Sequence, residues 1–139
     1  KRAGITGKVI CIGSRDETLE RVKAINLADE YVKADATDAV GLMEKVKELT
    51  NGKMADIVIN TVNIPNTEMS SILCTRDGGL VYFFSMATSF TKAALGAEGV
   101  GKDVTMLIGN GYTKGHADIS LQIMRESKEL RELFEKLYA

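Results

Sequence analysis

The chain has 139 residues, 45% of them hydrophobic and 27% charged, which suits a single globular domain with one sizeable core. Its 18 basic residues are balanced by 19 acidic ones, so the electrostatic footprint of a nucleic-acid binder is missing and no nucleic-acid partner is expected. No apolar run approaches the roughly 20 residues that span a bilayer and no secretory leader pattern opens the chain, so no membrane partner and a cytoplasmic location are expected.

The opening Lys1-Arg2-Ala3-Gly4 reads as the last turn and C-cap of a helix. With no initiator Met, that pattern suggests a polypeptide that begins inside a larger protein. Gly7-Lys8-Val9-Ile10-Cys11-Ile12-Gly13 predicts a strand apolar on both faces. Ser14 and Glu17 then have the spacing of a capping box, and Leu19, Val22 and Ile25 mark one face of a helix ending near Asn26. Tyr31-Val32-Lys33 predicts a second strand, and the polar segment 34–38 leads into a helix carrying Val40, Met43, Val46 and Leu49, which stops at Asn51-Gly52.

Ala55–Val62 is expected to be the central strand. Its run Ile57-Val58-Ile59 lacks polar alternation, as in parallel strands covered on both faces. Ligands of open α/β sheets sit outside the carboxyl ends of such strands, which makes Asn60 and Thr61 the first site candidates. Pro65 suits the turn before a short helix from Thr67 to about Leu73, terminated by Asp77-Gly78-Gly79. Leu80–Ser85, rich in aromatic and β-branched residues, predicts the fourth strand. Phe90–Leu95 reads as one or two helical turns, with Gly96, Gly99 and Gly101 making the remainder loop-like. Val104–Ile108 is the fifth strand, and two helices follow, the second with Leu130, Leu133, Phe134 and Leu137 along one face.

Five short strands alternating with helices imply an α/β fold with a doubly wound parallel sheet and right-handed crossovers. Two strand orders compete: a complete flavodoxin-like domain, 2-1-3-4-5, and a Rossmann-like nucleotide-binding domain lacking its first strand, 3-2-(gap)-4-5-6. The first would suit a self-contained nucleotide-sensing or regulatory domain without catalysis. The whole of 1–139 is read as one such domain, partial in the second case.

Few residues suggest chemistry. Gly109-Asn110-Gly111-Tyr112-Thr113-Lys114-Gly115 is the nearest approach to a phosphate-cradling loop, but its third glycine is one position late and no strand follows, so it reads as a plain loop. In the dinucleotide fold an acidic residue at the end of the second strand reads the adenosine ribose, whereas an Arg there accommodates a 2'-phosphate. Ser14-Arg15 occupies that place, which points to NADP; the plain alternative is a helix cap beside a solvated cation, and Asp16 and Glu17 count against a phosphate. His116, the single histidine, is a candidate acid or base but reads more plainly as a surface residue in a first helical turn, and Tyr112 and Lys92, conceivable substrate contacts, read as solvated or packing residues on loops. Cys11 and Cys74 lie in apolar runs and are expected to be buried thiols, and no metal site is expected.

From Gly7 to Asn63 the chain, with Gly13-Ser14-Arg15, Leu27-Ala28-Asp29-Glu30-Tyr31-Val32, Leu49-Thr50-Asn51-Gly52-Lys53 and Ala55-Asp56-Ile57-Val58-Ile59-Asn60, resembles the cofactor domain of medium-chain, alcohol-dehydrogenase-like oxidoreductases from its second strand onward. Val62–Ser70, Phe83–Gly99 and Gly109-Asn110-Gly111-Tyr112 resemble a member acting on a diamino acid in bacterial lysine fermentation. The resemblance implies NAD or NADP as cofactor, a small amino-acid substrate and oxidative deamination. Ser14 and Arg15 would meet the adenosine ribose, and Asn60, Thr61, Val62, Ser85 and Met86 would line the cofactor. It names no catalytic acid or base. The substrate lobe and the Gly-rich turn are not in this sequence, so the piece alone is expected to be inactive.

Val104–Ile108 has no Pro, no Lys and no interior charge, the devices that blunt exposed sheet edges. Subunits of the family commonly pair through this strand, so a homodimer is expected there; the alternative is that Leu130–Leu137 covers the edge.

Overall fold

The structure is a computed structural model, described here for residues 6–109 and 113–139. The readings placed on Lys1–Gly4 and on Asn110–Tyr112 lie outside the described residues. The elements run β1 (Ile10–Gly13), α1 (Asp16–Ala24), β2 (Glu30–Lys33), α2 (Ala39–Leu49), β3 (Ala55–Asn60), α3 (Glu68–Cys74), β4 (Thr75–Phe83), α4 (Phe90–Gly99), β5 (Val104–Ile108), α5 (His116–Glu126) and α6 (Lys128–Tyr138).

All strand pairs among the described residues are parallel, and they form two sheets, β1-β2 and β3-β4-β5. β1 pairs with β2, and β4 lies between β3 and β5. Both sheets show the parallel alternation of strand and helix of a Rossmann-like fold. The chain divides into two compact units, one of the described residues in 1–33 and 111–139, the other of those in 34–110.

In the first unit, Asp29 starts the β1–β2 ladder: its carboxylate accepts from the Val9 amide at 2.7 Å, while the Val9 carbonyl accepts from the amides of Asp29 and Glu30. Leu19, the buried residue of α1, lies over the end of β1, where a Cβ on Gly13 would come within 3.0 Å of it. The expected capping box does not form. Arg15 occupies the N-cap in extended conformation with no side-chain cap bond, which leaves Ser14 one position too early, and Glu17 pairs with Arg21 instead of turning back. Among the later elements of this unit, Ser127 caps α6 by accepting from the Leu130 amide.

In the second unit, Asp38 caps α2 by accepting from the Gly41 amide at 3.0 Å, and Gly52 closes the helix in the left-handed region by donating to Lys47. Leu42 and Val46 are its buried residues, whereas Val40, counted on the apolar face from spacing, is 62% exposed. The core is Ile72, Val81, Phe83, Ala93 and Ala97, with Met69, Val104 and Met106 packed against it. It therefore joins α3, α4 and one face of β4 and β5.

Four expectations are corrected here. The central strand ends at Asn60, not Val62, and it is not covered on both faces: Ile57 is 57% and Ile59 63% exposed. The helices packed on the core cover one face only, so a continuous apolar run does not guarantee two covered faces. Asp77-Gly78-Gly79 does not terminate α3; β4 follows α3 directly at Thr75 and absorbs those residues in a register shift between Ala55 and Ile57 of its partner. Finally, α4 runs through Gly96 to Gly99. Gly96 serves packing, because a Cβ there would come 2.5 Å from the Met69 sulfur on α3. The turn ends at Gly101, which is left-handed, with the Lys102 amide donating to Ala97.

Candidate functional site

The carboxyl ends of the strands carry the candidate residues, and each unit presents its own set. In the first unit Ser14 and Arg15 are both exposed just beyond β1. Asp16 pairs with Lys33 at the end of β2, and Glu17 with Arg21. The two acids that weigh against an anion are thus already engaged. Arg15 has no ion pair among the described residues. Lys33 at the same strand ends is a second cation that the sequence reading passed over, because its proximity depends on the β1–β2 pairing, in which Gly13 faces Lys33.

In the second unit the structure separates residues that the sequence grouped together. Asn60, only 5% exposed, does not present its amide outward. Its Nδ2 donates to Thr67 Oγ1 and Ser71 Oγ, each at 2.9 Å, and its Oδ1 accepts from the Val62 amide at 3.0 Å. Both amide hydrogens and the carbonyl oxygen are therefore used. Thr61 is exposed and Val62 half-buried directly after it. Beyond β4, Ser85 is half-buried with Oγ accepting from the Ala87 amide, and Met86 is 80% exposed. The β3 and β4 ends are tied together where the Phe84 amide donates to the Asn60 carbonyl at 2.9 Å.

Two further residues carry no obvious sequence signal. Glu68, 2% exposed in the first turn of α3, accepts from the Ser89 amide at 2.7 Å. Thr88 Oγ1 is buried with no hydrogen-bond partner among the described residues. A Glu three residues after Pro reads as the polar start of a helix, so only the fold reveals that it points inward.

Of the remaining candidates, Lys92 is exposed and pairs with Asn66, and His116 is exposed at the start of α5 with Nδ1 2.8 Å from the Thr113 carbonyl. Cys74 is buried as expected, and burial pushes its thiol up to about 11 against a smaller opposing effect of Lys102. Cys11 is half-buried, with its thiol also raised by burial. No helix among the described residues is long and apolar enough to cross a membrane.

The sequence matches the family described as zinc-binding dehydrogenase over residues 1–107. The chain belongs to that family. Within it, the chain is 56% identical over 138 residues to L-erythro-3,5-diaminohexanoate dehydrogenase of Acetoanaerobium sticklandii and 51% identical to the enzyme of that name from Fusobacterium nucleatum. Each match covers 99% of this chain but 40% of the relative's length. Among solved structures, AibC superposes with a TM-score of 0.67 at 17% identity, covering 86% of this chain and 32% of that one. Mycobacterial Rv1454c, solved in complex with NADPH, gives 0.58 at 18% identity, covering 92% and 38%. These likenesses establish the fold as the Rossmann-like domain of dehydrogenases. The zinc of the family's description has no ligand set here: no group of three or more His, Cys, Asp or Glu among the described residues could hold a metal ion.

Proposed function

We propose that this chain supplies the cofactor-binding portion of an NAD(P)-dependent oxidoreductase that converts L-erythro-3,5-diaminohexanoate to 5-amino-3-oxohexanoate and ammonia. The observation that carries this reading is the identity of 56% and 51% to two enzymes of that name, sustained over 99% of the chain. A bound nicotinamide supplies the hydride acceptor. The C3–H bond breaks as hydride while the nitrogen lone pair forms the C=N bond, so the substrate amine must be neutral. Water adds to the resulting imine and ammonia leaves, which gives the ketone.

Residues of this chain bind and orient. Arg15, with Ser14 beside it, meets the adenosine ribose and accepts a 2'-phosphate, which favours NADP over NAD. Thr61, Val62, Ser85 and Met86 line the cofactor, and Asn60 acts from beneath by fixing the loop that follows β3. The full-length enzyme is expected to reduce NADP or NAD, followed by nicotinamide absorbance, with L-erythro-3,5-diaminohexanoate as substrate. Failure with this substrate, alongside turnover of an alcohol or another amine, would remove the assignment. The 139-residue chain alone is expected to bind dinucleotide weakly, since pyrophosphate normally rests on a Gly-rich turn at a helix N-terminus and this sequence has no such turn. A sub-micromolar constant by calorimetry would contradict that.

The enzyme is further proposed to be a homodimer through β5, the outer strand of its ladder. The Gly109 amide donates to the Phe83 carbonyl, so by two-residue alternation the amides of Val104, Met106 and Ile108 point away from β4 towards the open edge. Ile108→Pro removes one of these amides at a residue that is 43% exposed, and Met106→Pro removes a central one at some cost in packing. Light scattering on the full-length enzyme should show a dimeric wild type and a shift to monomer in folded Met106→Pro. A folded proline variant that remains dimeric would take β5 out of the interface.

A further inference from the structure

The first turn of α3 holds both loops on which the proposed cofactor site depends. Thr67 and Ser71 fix Asn60 and through it Val62, while Glu68 reaches across to the Ser89 amide at 2.7 Å. The loop after β4 is tied at its start by the Phe84 amide on the Asn60 carbonyl and at its end by Glu68. Between these ties it folds on itself, with the Ser85 hydroxyl accepting from Ala87 and the Ser85 carbonyl from Thr88. This is the segment that carries Ser85 and Met86. Ser89 keeps its own hydroxyl for the Lys92 amide, capping α4, so the carboxylate is not needed to start that helix.

A carboxyl side chain exposed to only 2% is expensive to bury unless its bonds are well made. Of the buried polar residues among those described, Glu68 is the ionisable one; the others are Asn60, Thr67, Ser70, Ser71 and Thr75. An apolar residue would have sufficed to pack α3 against its neighbours. What Glu68 adds is an acceptor oxygen for one backbone amide at the root of a strand-end loop.

We infer that Glu68 is a positioning residue for the nicotinamide cofactor: by holding the Ser89 amide it sets the conformation of the 84–89 loop, so that Ser85 and Met86 stand where the cofactor meets them. The inference rests on the function proposed above. It touches neither cofactor nor substrate itself, and its effect falls on binding before it falls on chemistry.

The test uses the full-length enzyme with Glu68→Ala and Glu68→Gln. In Glu68→Ala the KM for the cofactor, and its Kd by nicotinamide fluorescence, should rise about tenfold, whereas kcat changes less than about threefold. Glu68→Gln keeps an acceptor oxygen in place and should stay within about threefold of wild type in all three. If Glu68→Ala does not fold, Glu68→Asp retains the charge but shortens the reach, and the same rise in KM is expected. Unchanged cofactor KM and Kd in a folded Ala or Asp variant, or Gln as impaired as Ala, would overturn the inference. A wild-type enzyme that binds neither NADPH nor NADH would remove the functional reading together with it, whereas normal wild-type binding with an unaffected Glu68→Ala would remove this inference alone.

Discussion

Phe83→Ala should destabilise the fold by about 3–5 kcal/mol, the usual cost of emptying a large buried aromatic site. The ring is 1% exposed and lies in the core with Ile72, Val81, Ala93 and Ala97. Its strand position is also central, paired with Asn60 on one side and Ile108 on the other. A loss of that size is a large part of the roughly 5–15 kcal/mol that holds a typical domain together. Urea unfolding should show a lower midpoint with an unchanged slope. Phe84→Ala is the control: that ring is 54% exposed, so removing it should cost under about 1 kcal/mol. Equal effects at both positions would mean that this core does not carry the stability of the unit. Where Phe83→Ala still folds, the 84–89 loop loses its footing and cofactor binding should weaken as well.

Arg15→Ala in the full-length enzyme should lower kcat/KM with NADP by roughly ten- to a hundredfold, corresponding to about 1.5–3 kcal/mol for a lost charge-assisted contact, and leave the NAD reaction nearly unchanged. The structure strengthens this expectation in one respect. Asp16 and Glu17, which sit next to Arg15 in sequence, are paired with Lys33 and Arg21, so their charges are partly compensated before any phosphate arrives. Because Arg15 is exposed, the contact is screened by salt, and the NADP preference should shrink as ionic strength rises. An NADP-to-NAD ratio of kcat/KM that stays at the wild-type value would show that Arg15 does not read the 2'-phosphate.

The strand-end candidates show how far residue order alone can reach. Thr61 and Met86 are exposed at the ends of β3 and β4, where a reading of apolar runs and the turns after them would place them. Asn60 sits at the same strand end, yet its side chain is committed to Thr67 and Ser71, seven and eleven residues away. Side chains alternate across a strand, so a one-residue difference decides between the inward and outward direction. The last residue of a strand is where that parity is hardest to assign without knowing which face is covered. Glu68 was invisible for the same reason: its direction is set by where α3 lies on the sheet, and its partner, Ser89, is 21 residues later.

What the sequence by itself determined was the element order, the parallel alternation of strand and helix, and the dehydrogenase family. All three follow from local apolar runs, cap and turn residues, and motif similarity. Only the tertiary structure decided which strands pair, β1 with β2 and β4 between β3 and β5, because hydrogen-bonded pairing is a long-range choice. It also decided that Gly96 belongs inside α4. A glycine in isolation reads as a breaker, but here the missing Cβ is the space that Met69 of α3 occupies, and the packing gained outweighs the weak local preference. The exposure of Ile57 and Ile59 was decided in the same way: apolar residues record what a chain is able to bury, and the arrangement of helices determines what it does bury.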